Sequence, residues 1–292
     1  MLEFYRELNS ANGPVYLKMN HLAPETITEI EKILHTTERP SRGRFHAARG
    51  THYGEQMVEM AVSEIGLCSG HSASGVRVNA KGETSVPGLY AAGDMASVPH
   101  GYMLGAFVYG KICARNAVEY IRDKEPPKVD KAFVATERER ILKPLRQPDG
   151  IPPHQLEYKI RRHVNDYLQP PKTAYRMERG LEYFLRAREE LEQLGAQNPH
   201  DLMRAMECHF IRDCAEMAAR ASLFRKESRW GLYHYRLDYP EQDPENWFVH
   251  VILRKQEDGS TVLYKRPVEP YVVPLDGEEN PYHKLRIEHP AA

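Results

Sequence analysis

The sequence predicts an α/β segment followed by a mainly helical domain and a small β-rich tail. Three observations favour this fold class. A glycine-rich stretch leads from a short apolar run into a helical pattern, a long region repeats its apolar residues at helical spacing, and the last stretch is rich in β-branched and aromatic residues. With 292 residues, the chain is long enough for a buried core and for two domains.

Residues 1–65 have a mixed pattern and form the first predicted region. Pro14–Met19 predicts a short strand. Pro24–Leu34 predicts a helix, because its isoleucines and its leucine recur at helical spacing. Arg39–Gly54 is rich in arginine and histidine and is predicted to be a basic loop.

Residues 66–125 hold the glycine-rich stretch, and Pro126-Pro127 separates them from a helical region, residues 126–230. Four helices are predicted in that region: Lys131–Leu142, His154–Tyr167, Thr173–Leu194 and His200–Glu227. Large apolar residues at helical spacing in the last of these predict a core-facing stripe, formed by Met203, Met206, Phe210, Met217 and Leu223.

Residues 231–292 form the β-rich tail. Strands are predicted at Trp247–Leu253, Thr261–Tyr264 and Tyr271–Val273. Asp258-Gly259 stands between the first two strands and predicts a hairpin turn.

Composition excludes several classes of protein. The 40 basic and 41 acidic side chains give a formal net charge of −1, which argues against a nucleic-acid binder. The most apolar window, Ser97–Gly110, is too short to span a membrane, and charged residues near Met1 argue against a secretory signal. A cytoplasmic protein is therefore expected. The four cysteines form no CxxC pair, so we expect no metal site or iron–sulfur cluster held by this chain alone.

The glycine-rich stretch contains the pattern that points to a ligand. Pro87-Gly88 predicts a turn, and Leu89–Ala92 predicts a short buried strand that ends at Gly93-Asp94. A glycine at a strand end lets a ligand approach the backbone, and the next carboxylate can bind ligand hydroxyls. A helix, Ala106–Arg122, follows the turn at His100-Gly101, and its N-terminus can stabilise negative charge. Packing glycines with no ligand would give the same spacing.

The residues of this stretch, Val86-Pro-Gly-Leu-Tyr-Ala-Ala-Gly-Asp94, resemble a FAD-binding segment of the succinate dehydrogenase/fumarate reductase flavoprotein family. Two further motifs are similar to the same family and lie in the family's order. They are Gly13-Pro-Val-Tyr-Leu-Lys-Met-Asn-His-Leu22 and Leu223-Phe-Arg-Lys-Glu-Ser-Arg229, the latter taken together with Asp238-Tyr-Pro-Glu-Gln-Asp-Pro-Glu-Asn-Trp247. The resemblance implies a remnant of the capping domain in residues 1–65 and an incomplete FAD-binding domain in residues 66–125.

The resemblance also implies site residues. Asp94, with Gly93, would bind FAD, and the turn and helix start would hold the flavin edge through His100, Gly101, Tyr102, Met103, Leu104 and Gly105. His71, in Gly70-His-Ser-Ala-Ser-Gly-Val-Arg77, would orient or protonate the substrate. Taken alone, His71 would more often be a hydrogen-bonded loop histidine. Arg44 and Arg49 are the candidates for gripping a substrate oxyanion, although a solvated basic loop is the favoured alternative.

The chain departs from the family pattern at two places. The arginine that grips the substrate in the dicarboxylate enzymes is missing from Tyr102–Ala106, and this shorter form is more similar to the adenylylsulfate reductase α subunit. No G-x-G occurs in the sequence, so the fingerprint that binds the FAD pyrophosphate is absent. The expected protein is the C-terminal portion of a FAD-dependent oxidoreductase, inactive as this chain alone.

Its expected partners are the missing N-terminal flavoprotein half, a ferredoxin-like iron–sulfur subunit and a small-molecule substrate, with no nucleic acid and no membrane span. Two other interpretations stay open from the sequence. The chain could be a non-catalytic assembly fragment that holds no flavin. It could also bind FAD through an unrelated N-terminal arrangement, which the short residues 1–65 disfavour.

Overall fold

The computed structural model describes residues 2–8, 10–38, 40–60, 74–98, 103–229 and 234–268. The chain divides into two compact units, Met1–Ser63 and Glu64–Ala292. Among the described residues the fold is rich in helix, and its strands form two antiparallel sheets of two strands each.

The first unit is a small assembly of short elements. They are α1 (Leu2–Leu8), β1 (Val15–Leu17), α2 (Pro24–Lys32), one turn of π-helix (Ile33–Glu38), α3 (Pro40–Ala47) and β2 (Val58–Met60). Strands β1 and β2 pair with Val15 opposite Met60. The predicted strand and the predicted helix are both confirmed.

The prediction of a basic loop over Arg39–Gly54 is wrong in its first half, which is helix α3. One feature of the sequence and one of the packing explain the helix. Pro40 stands at its first position, where the fixed φ of proline suits a helix start. Near its end, the Phe45 and His46 rings contact edge to face, with centroids 5.6 Å apart, and His46 packs at the same distance on the buried ring of Tyr53.

In the second unit, Leu89–Ala92 is not a strand, contrary to the prediction. Tyr90 forms one isolated bridge with Glu83, and Leu89 is exposed. The Pro87-Gly88 turn brings the chain back on itself, and no adjacent strand among the described residues extends the pairing. The run is therefore an irregular return segment of which Ala91 is buried.

Gly82 lies directly against the buried side chain of Cys113. The Cys113 thiol lies 3.4 Å from the Ala91 carbonyl oxygen and is buried, which raises its pKa. Gly82 has a φ of +78°, and a β-carbon at that position would overlap the Cys113 sulfur. Glycine at position 82 is thus required by both backbone conformation and space.

Five long helices follow, at α4 (Met103–Ile121), α5 (Lys131–Leu142), α6 (Pro153–Leu168), α7 (Ala174–Leu191) and α8 (Pro199–Phe224). The four helices predicted beyond residue 126 are confirmed, as is the helix predicted from Ala106, which begins three residues earlier. Asp130, Thr173 and Asn198 cap α5, α7 and α8 by accepting hydrogen bonds from backbone N–H groups of the first turn.

Helices α6, α7 and α8 pack around one hydrophobic core. Phe184, Met177 and Ile160 have no exposed surface. The predicted core stripe of α8 is confirmed only in part. Met206 and Leu223 pack against the core. Met203, Phe210 and Met217 are about half exposed or more. The face that enters the core is made of small residues: Ala205, Cys208, Ala215 and Ala219. Small side chains let the α8 backbone approach its neighbours closely, which large ones would prevent.

The tail contains α9 (Pro244–Trp247) and a hairpin of β3 (Val249–Lys255) and β4 (Thr261–Pro267). The two strands pair with Val249 opposite Pro267. Gly259 has a φ of +81° in the connecting turn, so the predicted hairpin is confirmed. The strand predicted at Tyr271–Val273 lies outside the described residues.

Buried charges connect the end of α8 to the tail. The guanidinium of Arg236, which is 1% exposed, donates to the carbonyl oxygens of Ser222, Leu223 and Arg225 and pairs with Asp238. Arg225 in turn donates to the carbonyl oxygens of Trp247 and Val249. These bonds satisfy carbonyl groups that the end of α8 and the start of β3 would otherwise leave unpaired.

Within the part of the chain that the structure describes, no helix has the length and apolarity needed to cross a bilayer.

We expect the core and the surface of the bundle to respond differently to the same change. Phe184→Ala should lower the free energy of unfolding by about 3–5 kcal/mol, because it leaves a cavity in a fully buried site. Phe210→Ala, on the exposed face of α8, should change it by no more than about 0.5 kcal/mol. Urea denaturation of both variants measures the difference. Equal losses would contradict the burial pattern of α8.

Lys172 predicts a pH dependence of stability. Its ammonium is fully buried beside Arg236, with Ser222 Oγ at 3.2 Å, and this burial lowers its pKa to about 7. The unfolded chain keeps the ordinary lysine pKa of about 10.4 and binds the additional proton between the two values. Stability should therefore rise with pH from about 7 to about 10, by up to about 1.4 kcal/mol per pH unit.

Lys172→Met should be more stable than the parent below pH about 7, and this advantage should shrink as the pH rises. Lys226→Met, at an exposed position, serves as the control and should leave the pH profile unchanged. Urea denaturation across the pH range measures both. A constant difference between Lys172→Met and the parent would disprove the titration.

Candidate functional site

Gly93 shapes the turn at the centre of the predicted site. It has a φ of +68° and begins the short 3₁₀ turn Gly93–Met95. A β-carbon at Gly93 would lie 3.2 Å from the β-carbon of Ala106 in α4. The left-handed backbone and the close contact both favour glycine. The turn therefore lies directly against the start of α4.

A small core holds this turn in place. Ala91, Ala96 and Val98 are buried together, and Tyr109 of α4 packs against them. On the other side, the Val76 N–H donates to the Met95 carbonyl oxygen at 2.7 Å, which forms part of a parallel bridge with Ala96. The backbone on both sides of Asp94 is thereby fixed, while the Asp94 side chain lies at the surface.

The first turns of α4 expose an apolar surface beside the turn. Met103, Leu104 and Phe107 are each about 70% exposed, and Val108 is about half exposed. These four residues, which we call the α4 apolar patch, are neighbours at helical spacing. Met95, in the adjoining turn, is also largely exposed. Contiguous exposed apolar side chains commonly mark a site that binds a ligand or another protein surface.

The structure brings five of the predicted site residues together. Gly93 and Asp94 lie in the turn, and Met103, Leu104 and Gly105 lie in the first turn of the helix against which it packs. The other predicted residues of this site are outside the described residues: His71, His100, Gly101 and Tyr102.

Arg44 and Arg49 belong to the first unit, whereas the turn and α4 belong to the second. Both arginines are exposed, Arg44 within α3 and Arg49 just after it. The Arg49 guanidinium lies 3.7 Å from the centre of the Phe45 ring and donates to the Phe45 carbonyl oxygen. Their role at a substrate stays a prediction.

Comparison with known proteins shows which family this chain resembles. Residues 157–282 match the family model described as "Fumarate reductase flavoprotein C-term". Similar curated proteins include an uncharacterized FAD-dependent oxidoreductase of Methanocaldococcus jannaschii, 24% identical over 261 residues, and the succinate dehydrogenase flavoprotein subunit of Rickettsia bellii, 25% identical over 279 residues. The resemblance to the C-terminal part of the succinate dehydrogenase/fumarate reductase flavoprotein family is thereby confirmed.

The alignments cover 86% and 87% of this chain but 45% and 44% of these two relatives. The chain thus spans about half the length of the curated relatives it matches. Among solved structures, adenylylsulfate reductase from Archaeoglobus fulgidus matches with a TM-score of 0.73 and 26% identity, over 92% of this chain and 50% of that one. Escherichia coli quinol fumarate reductase has the same TM-score at 21% identity, a likeness of fold.

The described residues of the turn fit part of a bound flavin nucleotide. Glycine at position 93 lets the turn pack against Ala106 at the start of α4, and the exposed Asp94 carboxylate is suited to accept hydrogen bonds from ligand hydroxyls. The α4 apolar patch is suited to a flat, largely apolar ring. These features agree with the cofactor that the resemblance implies.

The sequence did not predict the buried charges of the family-matched stretch. Glu227 has no exposed surface and accepts hydrogen bonds from Arg225, Arg229 and the Asp243 N–H. The alternation of charges at positions 225, 227 and 229 is a weak signal that a β-like segment places them on one side. Their partners lie in the tail and could not be identified from spacing.

The turn can be tested by adding one methyl group. Gly93→Ala should lower the free energy of unfolding by about 1–2 kcal/mol, because alanine disfavours the left-handed conformation, and the contact with Ala106 adds strain. The control is Gly110→Ala in α4, where an added β-carbon meets nothing within 4 Å. That change should raise stability by about 1 kcal/mol. Chemical denaturation measures both, and a neutral or stabilising Gly93→Ala would contradict the geometry.

Proposed function

We propose that this chain is the C-terminal portion of a FAD-dependent oxidoreductase and contributes one side of the flavin site. The observation that supports the proposal most is the glycine turn at Gly93-Asp94, held against the exposed apolar start of α4. Similarity to this family adds to it, because the similar proteins from Methanocaldococcus jannaschii and Rickettsia bellii are named as FAD-dependent or flavoprotein.

The described residues would share the work of holding the cofactor. Gly93 lets the turn lie against the start of α4, and Asp94 accepts hydrogen bonds from the hydroxyl groups of the cofactor. Met103, Leu104 and Phe107 exclude water from the apolar ring. Bound FAD would supply hydride transfer, for which the protein provides orientation and electrostatics.

A second polypeptide segment would complete the site. The dinucleotide-binding fingerprint has no counterpart in this sequence, so the pyrophosphate of FAD would be held by a segment that carries one. The exposed apolar side of α4 extends to Val118 and Ile121, which are both 61% exposed. A helix of a doubly wound fold packs such a face on its sheet. We infer that the N-terminal half of the flavoprotein provides this sheet.

The substrate would be a small oxyanion or carboxylate, oriented by His71 and gripped by Arg44 or Arg49. The electrons would pass to an iron–sulfur partner, because the chain's four cysteines are too scattered to hold a cluster. The segment Tyr102–Ala106, which lacks the arginine of the dicarboxylate enzymes, favours a sulfur oxyanion over a dicarboxylate.

The alternative is a partner-binding fragment that holds no flavin. The α4 apolar patch favours it as well, since an exposed apolar face can bind a protein as readily as a cofactor. The two functions differ in whether flavin co-purifies with the chain.

Flavin content tests the proposal. The chain is purified alone and after co-expression with the coding region immediately upstream, and the visible absorbance of oxidised flavin is measured. We expect flavin only in the co-expressed complex, in a one-to-one ratio with this chain. A complex that forms but stays colourless would reject the FAD function and support the partner-binding fragment.

Variants of the co-expressed complex localise the effect. Asp94→Ala should reduce the flavin retained per chain several-fold, because a charge-assisted hydrogen bond to the cofactor is lost. Asp123→Ala removes the same charge from an exposed position after α4 and should retain the parent flavin content. Equal retention in the two variants would exclude Asp94 from the site.

A further inference from the structure

A cavity of about 350 Å³ lies in the groove between α6 and α7, in the helical bundle. Helix α7 contributes Tyr183, Arg186, Glu189 and Glu190, and α6 contributes Lys159 and His163. Spacings of three and four residues place these side chains on facing sides of their helices. The volume is within the range of small-molecule sites and several times that of one water molecule.

Tyr183 is an exception to the hydrogen bonding of the bundle. Its side chain is 4% exposed, and its hydroxyl has no hydrogen-bond partner among the described residues. Burial raises its pKa well above the ordinary tyrosine value, with a further rise from Glu190 and an opposing effect of Arg186. The hydroxyl therefore stays protonated and can donate a hydrogen bond. An unpartnered buried hydroxyl is costly, so its retention calls for an acceptor.

The ring of Tyr183 is held rigidly. The His163 ring stacks on it with centroids 3.6 Å apart and planes inclined by 13°. His163 Nδ1 donates to the Lys159 carbonyl oxygen at 2.8 Å, which fixes the imidazole from the other side. A rigid donor of this kind costs little conformational entropy when it binds a ligand.

The charged side chains around the cavity differ in whether they form ion pairs. Lys159 Nζ contacts both carboxylate oxygens of Glu190, at 2.7 and 2.8 Å, so these two charges neutralise each other. Arg186 is exposed and forms no ion pair with a described residue. Its guanidinium is consequently available, and it is well suited to an oxyanion.

We propose that this groove is a binding site for a small oxyanion, a carboxylate or a phosphate group, that accepts hydrogen bonds from the Tyr183 hydroxyl and the Arg186 guanidinium. Glu189, which also lines the cavity, opposes an anion and would limit its affinity. The site lies on the helical bundle and uses none of the residues assigned to the flavin.

The test is the thermal stability of the full chain in sodium phosphate and, separately, in sodium acetate, with ionic strength held constant by sodium chloride. At least one of the two anions should raise the melting temperature in a saturable manner. The anion that acts at lower concentration identifies the phosphate or the carboxylate class. A rise that does not saturate, or no rise with either anion, would overturn the proposal, because a general salt effect is not saturable.

Variants distinguish the site from a general effect. Tyr183→Phe and Arg186→Gln should each weaken the binding of the anion at least about tenfold. Arg179→Gln removes the same charge from the same helix, where Arg179 pairs with Glu182 away from the cavity, and should bind as the parent does. Without anion, Tyr183→Phe should melt higher than the parent, because the unpartnered hydroxyl is gone.

Glu189→Gln should tighten the binding of the anion several-fold, since it removes a like charge. If it weakens the binding of phosphate or acetate, Glu189 does not repel the anion, and the proposed position of the site is wrong. Unchanged affinity in both Tyr183→Phe and Arg186→Gln would likewise overturn the site.

Discussion

The end of helix α8 depends on two guanidinium groups that are almost completely buried. Carbonyl groups at a helix C-terminus have no partner within the helix, and together they carry a partial negative charge. Arg236 saturates three of them, and Arg225 binds the backbone where the hairpin begins. Glu227 and Asp238 balance the two positive charges. The bundle and the tail are therefore joined by ionic hydrogen bonds that neither part could satisfy alone.

This arrangement explains why much of the fold, but not all of it, follows from the sequence. Capping residues and helical periodicity are local, and the helices beyond residue 126 were predicted within a few residues. The inward face of α8 was predicted only in part. Hydrophobicity assigned Met203 and Phe210 to the core, whereas close packing of helices selected Ala205 and Ala219. Which stripe faces inward is decided by the space between helices, and a single sequence does not contain that distance.

The candidate site, too, was predicted only in part. Gly93 and Asp94 were predicted because their motif indicates a turn. The positive φ at position 93 favours glycine, so this backbone conformation can be inferred from the residue type. The strand predicted before them was wrong, because its pairing is limited to one isolated bridge between Tyr90 and Glu83, and no described strand extends it. The Tyr183 hydroxyl left no signal in the sequence, since its burial results from tertiary packing, including that of His163 over its ring.

The contact between Gly82 and Cys113 limits which substitutions the chain can accept at either position. The sulfur occupies the volume that any side chain at position 82 would need, and the φ of +78° penalises every other residue type there. A larger residue at position 82 becomes tolerable only if position 113 loses its sulfur and the turn changes its backbone. Two residues 31 apart in the chain thus depend on each other, because the sulfur fills the space that the glycine leaves.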